Sequence, residues 1–131
     1  MSTCNGNDIL NVTGSNVGNV LVGGSGSDRL LGGQGRDILI GGSGPSTLNA
    51  GSGGDILIGG TTNYDNNAAA LAAVLAEWSR TDIDYATRIA HLNGSMSGGL
   101  NGSVLLSSST VHADGQVNNL YGGAGLDWYF P

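Results

Sequence analysis

Asn19, Asp28, Asp37, Ser46 and Asp55 stand nine residues apart, and a glycine-rich run precedes each of them. The series offers three carboxylates, one amide carbonyl and one hydroxyl at a constant interval. Such donors suit a hard cation, which collects about six to eight oxygens from carboxylates and backbone carbonyls. Asp127 repeats the pattern late in the chain, within Gly122-Gly123-Ala124-Gly125-Leu126-Asp127-Trp128-Tyr129-Phe130. Carboxylates this regular need an element that returns them to one place.

That element is a nine-residue block. Gly23 to Ile58 reads G-G-S-G-S-D-R-L-L, G-G-Q-G-R-D-I-L-I, G-G-S-G-P-S-T-L-N and A-G-S-G-G-D-I-L-I, with no insertion. Each block opens on glycines that permit left-handed backbone and ends in an apolar triplet long enough for a short strand. A six-residue turn plus a three-residue strand makes half of a flattened coil, so two blocks bring the chain back to the same side. Asn19, Asp37 and Asp55 then stack on one side, and Asp28 and Ser46 on the other. A calcium ion between adjacent turns would take a carboxylate from each and carbonyls from the loops of Gly24, Gly26, Gly33, Gly35, Gly42, Gly44, Gly51 and Gly53. The Asp37 with Asp55 step is expected to be the best site. Asn19 with Asp37 has one carboxylate fewer, and Asp28 with Ser46 is poorer still, because Ser46 gives a hydroxyl and Pro45 alters the turn. Two or three ions are expected. Leu30, Leu39, Leu48 and Leu57, all in the eighth position, should point inward as a narrow aliphatic core.

These blocks resemble the hemolysin-type calcium-binding repeat, the RTX nonapeptide G-G-x-G-x-D-x-U-x, where U is a large apolar residue. The blocks ending at Leu31, Ile40 and Phe130 match throughout; that at Gly41 has Ser46 for Asp, and that at Ala50 lacks its first Gly. The resemblance spans about the first 60 residues and the last 20, and implies a parallel β-roll, calcium-dependent folding and an extracellular bacterial setting. The order of repeats, alanine-rich stretch and final block is also similar to the C-terminal ends of large secreted RTX proteins. In those an uncleaved C-terminal signal directs export through type I secretion machinery, and it often ends in an acidic residue followed by apolar ones. Asp127 with Trp128, Tyr129 and Phe130 fits that description, and fits equally a last calcium ligand with a capping strand.

Around the four blocks the register fades. Gly14 to Val22 keeps it, with Asn19 in the Asp position and Leu21 in the buried one; Gly6-Asn7-Asp8-Ile9-Leu10 looks like half of a block displaced by two residues. The chain thus begins inside a repeat, as a piece of a longer array would, or a terminus with a degenerate first coil. After Gly59-Gly60 the pattern breaks, and Ala68 to Arg80, with Leu71, Val74, Leu75 and Trp78 on one face, predicts a helix capped by Asp65, Asn66 or Asn67. A second helix capped by Thr81 or Asp82 would carry the stripe Ile83, Ala86, Ile89 and Ala90, and both helices should pack on the open end of the roll. Val104-Leu105-Leu106 and Thr110-Val111 read as two strands across a serine turn, and Gly115 to Tyr121 returns to the block frame with Asn118 and Leu120. The expected fold is mainly β: a parallel β-roll of the RTX type over residues 1–62, two short helices over 63–92, and connecting strands, final repeat and C-terminal cap over 93–131.

Composition narrows the function. With 131 residues, Gly 25, 11% charged and 5% aromatic, the chain makes one domain without an aromatic-rich core, and its 39% hydrophobic content favours burial over disorder. The net charge of -6, with Glu77 the sole glutamate and no lysine, argues against nucleic acid as a partner. Cys4 is the single cysteine, so no internal disulfide or cysteine-based zinc cluster can form, and it is expected to be a plain terminal thiol. No apolar run approaches the ~20 residues of a membrane helix, so no membrane insertion is expected, and an export signal must lie elsewhere than the N-terminus. His91 and His112 lack metal-site spacing and should be surface or cap-packing residues. Glu77, Asp82 and Asp84 read as helix-surface and capping charges, and Trp78, Trp128, Tyr129 and Phe130 as the aromatic core of the cap. No G-x-S-x-G elbow exists and the glycine loops lead into strands, away from the helix dipoles that phosphate loops use; an enzyme is not expected. The sequence therefore points to a secreted calcium-binding module at the C-terminal end of a larger type I secreted protein, folding once outside the cell. The alternative is a structural module whose open roll ends self-associate head to tail into filaments or adhesive layers.

Overall fold

The apolar triplet of each block forms a three-residue strand in the computed structural model, which describes residue 2 and residues 5–131. Cys4 lies outside the described residues. In chain order the strands are β1 (Ile9–Asn11), β2 (Val20–Val22), β3 (Arg29–Leu31), β4 (Ile38–Ile40), β5 (Thr47–Asn49) and β6 (Ile56–Ile58). Each pairs in parallel with the strand two blocks away, Leu21 opposite Leu39 opposite Leu57, and Leu30 opposite Leu48. Leu10 faces Leu30, a wider step that absorbs the two-residue displacement of the first block. The middle residues of all six strands meet between the two sheets: Leu10, Leu21, Leu30, Leu39, Leu48 and Leu57 are each no more than 1% exposed and share one core with Ala50. Each leucine so buried contributes about 2 kcal/mol.

Such close turns leave no space for side chains in the loops. A Cβ at Gly42, whose φ is +101°, would fall on the carbonyl oxygen of Gly24 in the preceding turn.

After β6 the chain leaves the coil. Strand β7 (Thr61–Thr62) pairs antiparallel with β8 (Val111–His112), which clips the two ends of the excursion together. Between them lie α1 (Ala68–Trp78) and α2 (Tyr85–Asn93). The coil then resumes in register. Strand β9 (Asn119–Tyr121) pairs with β5 and β10 (Trp128–Phe130) with β6, completing two parallel sheets in the orders β1-β3-β5-β9 and β10-β6-β4-β2.

The helices differ from the sequence expectation in position and phase. They lie on the outer face of the β10-β6-β4-β2 sheet rather than on the open end: Leu71, Val74, Trp78 and Leu92 pack with Val22, Ile38, Ile40, Ile56 and Ile58. That face is wholly apolar, so its burial outweighs a stack on the coil end. Helix α1 is capped by Asn67, whose side chain accepts the Ala70 N–H at 3.0 Å, and stops at Trp78, short of Arg80. Helix α2 is capped by Asp84 at the Thr87 N–H, 2.8 Å, in place of Thr81 or Asp82. The helix buries Arg88, His91 and Leu92, and of the expected stripe Ile83, Ala86, Ile89 and Ala90 it is Ile89 that packs, partly buried, against the core. Val104 to Leu106 form no strand; Leu106 enters the core and its N–H reaches the Leu92 carbonyl at 2.7 Å, while Val111 pairs with Thr62.

Candidate metal centre

The sixth residue of each block is tied to the next turn by its own backbone. The Asp37 N–H donates to Asp55 Oδ1 at 2.7 Å, the Asn19 N–H to Asp37 Oδ1 at 2.8 Å, and the Asp55 N–H to Asp127 Oδ1 at 2.7 Å. These bonds assemble one column from Asn19, Asp37, Asp55 and Asp127. On the opposite side the Asp8 N–H donates to Asp28 Oδ1 at 2.9 Å, the Asp28 N–H to Ser46 Oγ at 3.4 Å, and the Ser46 N–H to Asn118 Oδ1 at 2.8 Å. Partners are 18 residues apart within the repeats, 20 apart at the displaced first block and 72 apart across the excursion. Asp28, named in the sequence reading with Ser46, therefore also has a carboxylate neighbour, Asp8. Asp8 and Asn118 join as donors beyond those the nine-residue spacing predicts, and the displaced Gly6-Asn7-Asp8 block and the sixth-position Asn118 are their signals in the sequence.

In Asp28 and Asp55 one oxygen fixes a turn and the other is left over. Oδ2 of Asp8, of Asp28 and of Asp55 is buried without a hydrogen-bond partner, whereas Oδ2 of Asp37 accepts the Gly33 N–H at 2.9 Å. A buried carboxylate oxygen with no donor and no cation costs several kcal/mol. The same burial shifts the carboxyls. Burial pushes the Asp55 carboxyl up to about 8, against the Asp37 N–H that favours its charge, and the charges of Asp37 and Asp127 push the same way. Burial likewise raises Asp28, with the Asp8 charge adding to it, and raises Asp127. Among the described residues the ion pairs all lie in the helical excursion, Arg80 with Glu77 and Asp82 and His91 with Glu77, so no basic side chain pairs with either column.

No three His, Cys, Asp or Glu side chains of the described residues converge on one point, so an ion here must draw much of its shell from backbone carbonyls. The glycines supply that surface. The eight loop glycines named above form four stacked pairs: a Cβ at Gly42, Gly44, Gly51 or Gly53 would meet the carbonyl oxygen of Gly24, Gly26, Gly33 or Gly35 respectively. Partnerless buried carboxylate oxygens beside carbonyl-rich loops fit a hard, oxygen-liganded cation better than a thiolate- or imidazole-seeking one.

A parallel coil of two nine-residue blocks per turn, with an oxygen donor at each sixth position, is a β-roll whose donors suit a cation. Residues 13–48 and 31–63 match the family model of the RTX calcium-binding nonapeptide repeat (4 copies); residues 13–63 are RTX calcium-binding repeats, and their ion is Ca2+. No curated protein and no solved structure matches the chain. The matched segment contains Asn19, Asp28, Asp37, Ser46 and Asp55, and leaves Asp8, Asn118 and Asp127 outside it. This repeat family is structural rather than catalytic and typical of secreted bacterial proteins. No helix among the described residues is long and apolar enough to cross a membrane.

The other chemistry-bearing residues have structural surroundings. Glu77, expected on the helix surface, is 0% exposed: Oε2 meets His91 Nδ1 at 2.9 Å, and Oε1 accepts from the Leu100 N–H at 2.8 Å and from Arg80 Nη1 at 3.1 Å. It anchors α1 to α2 and to the loop beyond. Burial alone would raise its carboxyl, but these donors outweigh burial and hold it below the ordinary value. Trp78, Trp128 and Phe130 do form an aromatic cluster, with centroids 6.2 Å and 4.7 Å apart, while Tyr129 stays outside it, 44% exposed, with its hydroxyl accepting the Gly122 N–H at 3.1 Å.

Proposed function

We propose that Asn19, Asp37, Asp55 and Asp127 on one side, and Asp8 and Asp28 on the other, hold calcium ions between successive loops, with carbonyls of the stacked glycine pairs completing the shells. The observation that carries this reading is the buried, partnerless Oδ2 of Asp28 and Asp55. A bound ion supplies the positive charge that both columns lack. Folding and binding are then linked: without calcium the buried carboxyls must take up protons or the loops must stay open to water. Affinities on the order of 10⁻⁴ to 10⁻³ M suit extracellular calcium. The chain stays open where calcium is scarce and folds outside the cell, as the secreted C-terminal part of a larger protein exported through type I machinery. It acts by folding and binding and not as an enzyme, with residues 1–62 and the last two blocks as the roll and the excursion as its covering. Circular dichroism in chelator and in millimolar calcium tests the switch, and a chain already fully strand-rich in chelator would sink it. Calcium added in weak buffer near pH 7 should release protons from Asp55; uptake with no proton release counts against these ligands.

A second reading, self-association into filaments or layers, draws on the far end of the coil, where Val117, Tyr121, Leu126 and Tyr129 are exposed around the terminal strands β9 and β10. Sedimentation at high concentration with calcium decides it: a persistent monomer removes this reading and leaves the first.

A further inference from the structure

The end of α1 and the start of α2 run across the loops of a single column. Gly18, Arg36 and Gly54 immediately precede Asn19, Asp37 and Asp55, and α1 reaches all three. A Cβ at Gly18 would stand 3.1 Å from both Leu75 Cδ1 and Ser79 Oγ. Arg36 Nη1 donates to the Trp78 carbonyl at 3.4 Å and to the Arg80 carbonyl. Trp78 Nε1 donates to the Gly54 carbonyl at 3.1 Å, and the Tyr85 hydroxyl donates to the Asp127 carbonyl at 2.9 Å. Trp78 is 0% exposed, held edge-on by Tyr85 at 5.7 Å and covered by the Arg88 guanidinium at 4.9 Å. Four turns of the coil are thus gripped on one side, each at or next to its sixth position.

We propose that Trp78, Tyr85 and Arg36 are positioning residues for calcium, and that the helical excursion splints the Asn19, Asp37, Asp55 and Asp127 loops at their binding spacing. The proposal rests on the calcium reading of the two columns. Glycine-rich loops lose more backbone freedom on ordering than other segments, so loops ordered in advance bind more tightly. The gripped column therefore takes calcium more tightly than the Asp8 and Asp28 column. By linkage the effect is mutual: calcium on the gripped column strengthens the docking of α1 and α2, and calcium on the other column does not.

Calorimetric calcium titrations of the full chain test this with three variants: Asp55→Asn, Asp28→Asn, and Trp78→Phe with Tyr85→Phe, which leaves an aromatic ring at each position, trims the buried indole and removes both donors. In the unaltered protein, the sites lost in Asp55→Asn should bind more tightly than those lost in Asp28→Asn. The double variant should weaken only the former class, by roughly three- to tenfold for each hydrogen bond lost. A general loss of stability would weaken both classes alike, and that result, or no change in either class, overturns the splint. Hydrogen exchange supplies a readout that leaves the splint residues intact. Calcium should slow exchange in α1 of the Asp28→Asn protein but not of the Asp55→Asn protein, and equal slowing in both refutes the coupling. If neither Asp variant alters calcium uptake, the reading of the columns as calcium ligands fails; if both do and the double variant does not, the splint alone fails.

Discussion

Replacing Asp55 by Asn should make the calcium-free protein more stable and the calcium response smaller. The carboxyl of Asp55 is 0% exposed, its Oδ1 accepts the Asp37 N–H at 2.7 Å, and its Oδ2 has no partner. Its folded value of about 8 lies above the ordinary 3.8, so the folded state holds a proton that the unfolded state has released at neutral pH. A raised value of this kind favours the fold at low pH, and the advantage is lost as pH rises from about 4 through about 8. At pH 7 the penalty is at most about 4 kcal/mol, and at pH 5 about 1.6 kcal/mol, from ~1.4 kcal/mol per pH unit. Asn keeps an oxygen for the Asp37 N–H and removes the proton requirement, while its Nδ2 inherits the partnerless position at about 1–3 kcal/mol. The net gain in chelator at pH 7 is therefore about 1–3 kcal/mol, on the order of 4–12 °C in melting temperature.

The assay is folding in chelator, thermal or induced by a stabilising osmolyte, at pH 7 and pH 5, repeated in millimolar calcium. Unaltered protein should be about 2 kcal/mol more stable in chelator at pH 5 than at pH 7, and Asp55→Asn should lose most of that difference. In calcium the order reverses, because the variant lacks a ligand carboxylate. If Asp55→Asn is less stable than the unaltered protein in chelator at pH 7, burial of an unpaired carboxylate is not what opposes the calcium-free fold.

Leu57→Ala should cost about 2–5 kcal/mol with or without calcium, since it opens a cavity in the leucine column and touches no ligand; denaturant unfolding in both conditions checks this. Gly42→Ala should disrupt the roll, because its Cβ falls on the Gly24 carbonyl, whereas Gly6→Ala, with φ +96° but nothing within 4 Å, should cost only about 1 kcal/mol; paired melting curves separate the steric from the conformational effect. Glu77→Ala should lose about 3 kcal/mol by stranding the buried His91 ring nitrogen and the Leu100 N–H, while Arg80 keeps Asp82, with calcium stoichiometry unchanged by calorimetry. Since donors hold Glu77 below its ordinary value, its contribution is present at neutral pH and fades as pH falls through the carboxylate range, opposite in sign to that of Asp55.

The period of nine made the strands, the inward leucines and the 18-residue spacing of the columns legible, because each depends on a constraint repeated in every block. What it left out depends on partners far along the chain. Asp8 joins Asp28 only because the first block is displaced, and Asp127 reaches Asp55 only because β10 returns to β6 in register after the excursion. Glu77 looked like a surface charge on an alanine-rich helix; its burial follows from His91 on α2 and the Leu100 N–H beyond it, which no local pattern reports.

The strand flanks carried one further signal, and it decides where the excursion lies. A coil of two blocks per turn sends alternate blocks to opposite sheets, so the inner leucines recur every nine residues but the outer flanks recur every 18. In β4 and β6 those flanks are Ile38, Ile40, Ile56 and Ile58; in β3 and β5 they are Arg29, Leu31, Thr47 and Asn49. Only the first sheet has two apolar faces, and a sheet of that kind must be covered. The helices cover it and leave the other sheet to solvent, which also confines their grip to one column of donors. Ile56→Thr should therefore cost about 2–4 kcal/mol and loosen the helices, visible as a red shift of the tryptophan fluorescence of Trp78 and Trp128 together, while Thr47→Val on the bare sheet should change stability by no more than about 0.5 kcal/mol. Equal effects of the two substitutions would mean that the helices do not distinguish the sheets in solution, and the asymmetry between the two calcium columns would lose its structural cause.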